Sequence, residues 1–304
     1  MPSDRLLSVL TCPLCPAALR RTDGALRCAG RHTFDIARHG YVSLLTGHRR
    51  APSADSPDMV RSRAAFLGAG HYDPLARALA ELAVELAPPD ATVLDAGAGT
   101  GHYLAAVLDA LPDALGLGLD SSVPALRAAA RAHPRVEAAG WDVWQPWPVR
   151  TGCADLVLNV FAPRNGPEFH RVLGPDGALL VVTPTARHLR ELRASPGLPA
   201  VDPLKEDRLS RTLGPHFRRE RAEPLEYAMG LTAGETTALV AMSPAARHLD
   251  AAQLRGRIAE MAAPVRVTAS FVASVYRPRR GGPGWKPSPR RPGRVRPCAA
   301  AGPS

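Results

Sequence analysis

The sequence predicts an α/β chain: a parallel sheet with helices on both faces, preceded by a small cysteine-bearing module and followed by a disordered basic tail. Three observations carry this reading. Short apolar β-type runs alternate with amphipathic helical runs between about residues 91 and 183, the pattern of parallel strands joined by right-handed crossovers. The stretch Val93-Leu94-Asp95-Ala96-Gly97-Ala98-Gly99-Thr100-Gly101 joins the first of these runs to a helix through a glycine-rich turn. Cys12, Cys15, Cys28 and His32 crowd the N-terminus.

In chain order, the spacing C-x2-C-x12-C-x3-H over Cys12, Cys15, Cys28 and His32 is that of a tetrahedral zinc site. Three thiolates and one imidazole close the shell, so the metal is expected to be structural. A segment of residues 1–47 is too short to fold on core burial alone, and metal binding supplies the missing free energy. The following stretch Phe34–Leu45 interleaves aromatics with Arg38 and His39. It reads either as a face that stacks on bases and pairs phosphates or as the packing surface of the module. Residues 46–58 are polar and proline-punctuated, a linker. Helical patterns follow at Met59–Leu67 and Leu75–Leu86, the second with Leu75, Leu79, Leu82 and Leu86 on one stripe.

The repeating unit then gives strands at Ala91–Ala96, Gly116–Asp120, Val136–Asp142, Asp155–Phe161 and Gly177–Thr183, with helices to Leu111 and from Ser122 to His133. Two late β-rich segments, Phe217–Leu231 and Val265–Tyr276, follow helical stretches at Arg187–Arg193 and Leu204–Leu213. The expected organisation is a zinc module at 1–47, a linker and helical segment at 48–88, the sheet domain at 89–276 and the tail at 277–304.

The turn indicates its ligand. Glycines at alternate positions let a ligand approach the backbone, but the spacing is G-x-G-x-G rather than the G-x-G-x-x-G of pyrophosphate binders. Asp95, two residues before the first glycine, suits a cationic ligand better than a phosphate. Asp120 closes the second strand, where a carboxylate takes both hydroxyls of a ribose. Asp142 closes the third, where it accepts from an adenine amino group.

At these residues the chain resembles the class I S-adenosylmethionine-dependent methyltransferases, with their Rossmann-like sheet. The zinc spacing, Gly70-His71-Tyr72, the Asn159-Val160-Phe161-Ala162-Pro163-Arg164-Asn165 segment and Thr183-Pro184-x-x-Arg187-His188-Leu189 narrow the resemblance. The chain is similar to the large-subunit rRNA guanine-N1 methyltransferases of the RlmA/TlrB type, closest to the tylosin-resistance branch, over residues 8–276. The resemblance implies a 23S rRNA hairpin read by the zinc module, methylation at N1 of a loop guanine, macrolide resistance and a homodimer. It implies zinc on Cys12, Cys15, Cys28 and His32, and S-adenosylmethionine contacts from Tyr72, Gly99, Thr100 and His188, beside the Asp95, Gly97, Asp120 and Asp142 that the turn and strand ends supply. By the residues alone, Tyr72 reads equally as a core aromatic and His188 as a surface histidine. Ala98 and Thr100 stand where relatives carry Cys and Glu, which changes the turn's polarity and leaves its backbone role intact.

Asn159 is expected to hold the edge of the acceptor base. For the proton on guanine N1, Asp142, Asp155 and His188 are alternatives. The Asn-x-x-x-Pro arrangement departs from the N/D-P-P-Y/F clamp of exocyclic-amine methylases. A small-molecule acceptor, with the zinc module merely covering the pocket, is the competing reading; a non-catalytic zinc protein that binds RNA is a third.

Composition bounds these readings. The net charge of +10 is concentrated in the tail: Arg277–Ser304 contains seven Arg, one Lys and no acid, so basicity is weak evidence for an RNA face. Lys205 and Lys286 are the lysines against a background of arginine. No apolar run is long enough for a membrane span and no secretory signal is evident, so the expected location is the cytoplasm. Cys153 and Cys298 read as ordinary thiols.

Overall fold

A computed structural model describes residues 2–46, 54–193, 205–243, 256–258, 260–261 and 264–280. In chain order the elements are α1 (Asp4–Val9), β1 (Leu19–Thr22), β2 (Ala25–Cys28), β3 (Thr33–Asp35), β4 (Val42–Ser43), α2 (Pro57–Gly68), α3 (Asp73–Leu86), β5 (Thr92–Ala96), α4 (His102–Ala110) and β6 (Leu115–Asp120). They continue with α5 (Val123–Ala129), β7 (Val136–Gly140), β8 (Ala154–Val160), α6 (Gly166–Val172), β9 (Leu173–Pro184), α7 (Arg190–Arg193), α8 (Lys205–Leu213), β10 (Phe217–Leu231), α9 (Ala233–Ala241) and β11 (Val265–Pro278).

Among the described residues there are two sheets. β1, β2 and β3 form an antiparallel ribbon. The large sheet has the order β10-β11-β9-β8-β5-β6-β7-β4; β4 through β9 are parallel to their neighbours, and the β10–β11 hairpin closes it antiparallel against β9. Chain order reverses direction at β5, between β6 and β8. In open α/β sheets a ligand binds in the crevice beyond the strand ends at such a switch point, which is where the glycine turn leaves β5.

The central strands are apolar on both sides because both faces are covered. Their side chains separate with the period of two that a strand imposes. Val93, Leu156, Leu158, Leu180 and Val182 join one core with Phe66, Leu75, Leu79 and Leu104 from α2, α3 and α4. Leu94, Val157, Leu179 and Val181 join the opposite core. α2 begins where the Ser56 side chain accepts from Met59 N, with Pro57 at the first helical position, a standard start.

The N-terminal segment is fastened to the large sheet more closely than its sequence suggests. Leu6, Val9 and Leu10 are buried in the same core as Leu115, Leu117, Leu119, Trp147 and Val149. The Arg5 guanidinium donates to Ala91 O (3.1 Å), and Thr11 N donates to Pro148 O (2.9 Å). Val42 and Ser43, expected within the module, pair with Ala139 and Gly140 of β7 and so form an edge of the large sheet.

Several boundaries differ from expectation: β9 starts at Leu173 rather than Gly177 and α7 at Arg190 rather than Arg187, and three further differences have a local cause. α5 stops at Ala129 rather than His133, as the chain turns ahead of Pro134. β7 ends at Gly140 rather than Asp142, because the Asp142 carboxylate accepts from Trp144 N (3.0 Å) and folds a local turn. β11 runs to Pro278, and Arg277 and Arg279 donate to Asp176 O (3.0 Å) and Gly214 O (3.0 Å), so the start of the expected tail belongs to the fold. The rest of that tail, 281–304, lies outside the described residues, as does most of the expected linker.

Leu6→Ala tests the fastening of the N-terminus. Deleting this fully buried side chain is expected to lower unfolding free energy by about 2–5 kcal/mol, read from a urea melt. A loss below about 1 kcal/mol would show that α1 does not share the main core.

Candidate methyltransferase site and zinc centre

The ligating atoms of Cys12, Cys15, Cys28 and His32 all lie within 4.8 Å of one another. Cys12 Sγ and Cys28 Sγ stand 3.4 and 3.3 Å from His32 Nδ1, and Cys15 Sγ stands 3.5 Å from Cys28 Sγ. Such a closed set of soft donors, at near-tetrahedral separations, fits Zn2+ without a position for water. The knuckle between the last two ligands is tight: Arg31 N donates to Cys28 O (3.0 Å) and Cys28 N to His32 O (3.1 Å), with Arg31 at φ 64°. Burial pushes the Cys12 thiol up to about 11; a bound cation reverses that preference, because a coordinating thiol is deprotonated.

At the other centre, Gly97, Gly99 and Gly101 all have positive φ, at 79°, 55° and 78°, where a Cβ is strained. Gly97 N and Ala98 N donate to Leu119 O (2.8 and 3.1 Å), folding the turn onto β6. A Cβ at Gly97 would come 2.6 Å from Ala162 Cβ, so the turn also touches the loop after β8. Thr100 is half-buried between the second and third glycines.

Asp95 is 2% exposed, and burial first, then the neighbouring Asp120, raises its carboxyl to about 7. Asp120 is likewise raised by burial, while its two oxygens accept from Gly99 N (2.9 Å) and Ser122 N (2.8 Å). Trp141 N donates to Asp120 O (2.9 Å), which places Asp142 at the adjacent strand end. A buried acid and a half-buried one under a turn built from backbone favour a cation, which offsets the desolvation penalty of their charged forms.

Tyr72 and His188 meet although 116 residues apart, with Tyr72 Oη 3.3 Å from His188 Nε2. Ser270 N donates to His188 Nδ1 (3.2 Å), which assigns the ring proton to Nε2. The imidazole thus donates to the phenol. Burial raises Tyr72's pKa far above the usual range, keeping it a neutral donor. Around the pair stand Phe66, Phe161 and Phe271, with ring centroids 5.1, 6.3 and 5.2 Å from Tyr72.

Two expectations change. Asn159 is fully buried, and its Nδ2 donates to Pro163 O (2.8 Å) and Ala96 O (3.4 Å). Its amide thereby ties the β8 loop to β5, while its buried Oδ1 has no hydrogen-bond partner among the described residues. Asp155 lies at the start of β8 and accepts from Thr92 N (2.9 Å), at the N-terminal end of the two central strands and so at the opposite end from the turn, which leaves it no base for this site.

Sequence reasoning missed Arg63. It pairs with Asp55, donates to Met242 O (3.1 Å) and lies over the turn, its Nη1 3.4 Å from the position of a Cβ on Gly99. Asp55 O in turn accepts from Ser122 Oγ (2.8 Å). The signal was weak, one arginine among many on a helix of low amphipathicity.

With this geometry, the comparisons are specific. The family model for the RlmA N-terminal zinc ribbon matches residues 10–51. A Streptomyces fradiae protein named 23S rRNA (guanine(748)-N(1))-methyltransferase is 49% identical over 272 residues, covering 88% of this chain and 96% of that one. The chain belongs to the 23S rRNA (guanine-N1)-methyltransferase family. A Micromonospora griseorubida relative, provisionally named a 23S rRNA (guanine-N(1)-)-methyltransferase, is 50% identical over 293 residues, covering 90% of this chain and 98% of that one. A Bacillus subtilis relative with the same provisional naming is 36% identical over 197 residues, covering 61% and 68%. Family membership and the four-ligand cluster agree on a structural zinc in this chain. No helix among the described residues is long and apolar enough to cross a membrane.

Cys28→Ser is expected to drop zinc content from about one per chain to a small fraction and to lower thermal stability, since metal affinity here is folding free energy. Elemental analysis beside a melting curve reads both. Unchanged zinc content would remove Cys28 from the ligand set.

Proposed function

We propose that this chain transfers the methyl group of S-adenosylmethionine to N1 of a guanine in a 23S rRNA hairpin loop, conferring macrolide resistance of the tylosin type on its cytoplasmic ribosomes. The observation that carries the reading is the junction, in one folded unit, of a buried two-acid glycine turn with a zinc ribbon, in a chain half identical to an enzyme named for that reaction.

S-adenosylmethionine supplies an electrophilic methyl on a sulfonium. The chain's part is to hold both reactants in line, where most of the acceleration of such a displacement arises. Gly97, Gly99 and Thr100 would present backbone to the methionine end, Asp95 would compensate its positive charge, Asp120 would take the ribose hydroxyls and Asp142 the adenine amine. Tyr72, its phenol oxygen accepting from His188, would have its own O–H free to donate to the cofactor. With Nδ1 of His188 engaged by Ser270 N, His188 orients Tyr72 rather than taking the guanine proton. Guanine N1 lies on the Watson–Crick edge, hidden in a duplex, so an unpaired or flipped base is required. Cys12, Cys15, Cys28 and His32 hold zinc and shape the ribbon that reads the RNA. The resemblance also implies a homodimer, to be read by light scattering.

Because the Asp95 carboxyl titrates near 7 and a bound cation favours its ionised form, S-adenosylmethionine affinity is expected to rise from pH 6 to pH 8, by about tenfold per unit below the pKa. Calorimetric titration at several pH values checks this. Asp95→Asn is expected to flatten the profile and to weaken binding at pH 8; a profile as steep as that of the unaltered chain would assign the titration elsewhere.

Methyl transfer to 23S rRNA lacking the modification, followed by primer extension, tests the function. One methylation-dependent stop at a loop guanine is expected, with affinity falling steeply as salt rises. Cofactor binding without incorporation into rRNA or ribosomal subunits would instead point to a small-molecule acceptor.

A further inference from the structure

Phe161 is the large apolar side chain at the mouth of this site that the fold does not bury: it is 41% exposed. Its φ is 56°, in the left-handed region, where a bulky non-glycine residue is a genuine outlier. Strain of this kind persists only where the surroundings over-determine it, and it clusters at functional sites. The surroundings here do so. Asn159 Nδ2 holds Pro163 O (2.8 Å), and Asn165 Nδ2 holds Val143 O (2.9 Å), so both flanks of the loop are tied. Ala162, the next residue, is the one that meets Gly97. The side chain therefore stands beside the cofactor turn, at the end of β8 and on the switch-point side of the sheet.

One side of the Phe161 ring is backed by aromatics, with centroids of Phe271, Tyr72 and Tyr103 at 5.4, 6.3 and 6.3 Å. The ring nevertheless keeps solvent-facing surface. A second non-glycine residue with positive φ, Leu189 at 54°, immediately follows His188, so two strained positions flank one aromatic cluster.

We propose that Phe161 is the platform on which the target base stacks when it leaves the RNA helix. The proposal rests on the reading of the substrate as RNA and adds the residue that receives the base. An exposed aromatic ring supported from behind, next to the cofactor turn, matches what an unstacked purine needs: every base has a π-face, and stacking replaces the neighbours it loses. The strained backbone is how the loop presents the ring outward instead of folding it into the core. Asn159, assigned to the base by sequence, acts one step behind, by fixing the loop that carries Phe161.

The test uses the full chain and unmodified 23S rRNA, with S-adenosylmethionine as methyl donor for the transfer assay and S-adenosylhomocysteine for the affinity measurement. Phe161→Gly suits the left-handed conformation and removes only the ring; Phe161→Leu keeps apolar bulk without a π-face; Phe161→Trp keeps the π-face. For Phe161→Gly and Phe161→Leu, single-turnover methylation of the RNA is expected to fall about 10- to 100-fold, with S-adenosylhomocysteine affinity within about twofold of the unaltered chain. Phe161→Trp is expected to retain most activity. A hairpin bearing 2-aminopurine at the position corresponding to guanine 748, the base in the name of the S. fradiae relative, is expected to be more fluorescent with Phe161→Gly than with the unaltered chain, whose ring quenches it. Full activity of Phe161→Leu, or equal fluorescence with both chains, overturns the stacking role while leaving RNA methylation standing. Failure of the unaltered chain to methylate any RNA overturns the substrate reading and the platform together.

Discussion

The close approach of backbone at Gly97 is the constraint on which the site depends. The turn is pinned from one side by Leu119 O and touches Ala162 on the other, with no room for a Cβ between them. This contact sets three strand ends in register: β5 with Asp95, β6 with Asp120, and β8 with the loop that carries Phe161. A side chain at residue 97 would push the β8 loop away from β5. The acids and the aromatic cluster would then no longer face the same space.

Electrostatics follows from that packing. Asp95 is buried and Asp120 half-buried beside it, and each is disfavoured as an anion, an arrangement that a protein optimised for stability alone would avoid. Arg63 and Asp55 cover the turn from α2 and the segment before it, adding one charge of each sign. The site is thus built with unmet demand for positive charge, partly screened by a guanidinium that already has partners.

The alternation of strands and helices, the glycine turn and the ligand spacing were legible because each is local: periodicity, φ preference and donor spacing are written in neighbouring residues. The β-rich segment expected at about Phe217–Leu231 is β10 for the same reason. What the sequence could not show was tertiary. Asp155 and Asn159 lie four residues apart on one strand, yet one accepts from Thr92 N at the far end of the strands and the other donates its amide to Pro163 O and Ala96 O. The pairing of His188 with Tyr72 crosses 116 residues, and the backbone strain at Phe161 leaves no trace in residue type. Nor does composition reveal that Val42 and Ser43 are part of the large sheet.

That short strand has a consequence for solubility. An uncovered strand edge offers a row of unpaired amides and carbonyls to another chain. At one end of the large sheet, β10 carries Arg218, Arg219, Glu220 and Arg221 together with Pro224, a charged and interrupted border that resists such pairing. At the other end β7 is apolar over most of its length, and it is closed by β4, which Ile36 and Val42 link back to the end of the ribbon. The ribbon that carries the zinc ligands is therefore linked to the strand that covers a sheet edge: unfolding of the ribbon would remove one support of β4 and open part of β7 to pairing with another chain.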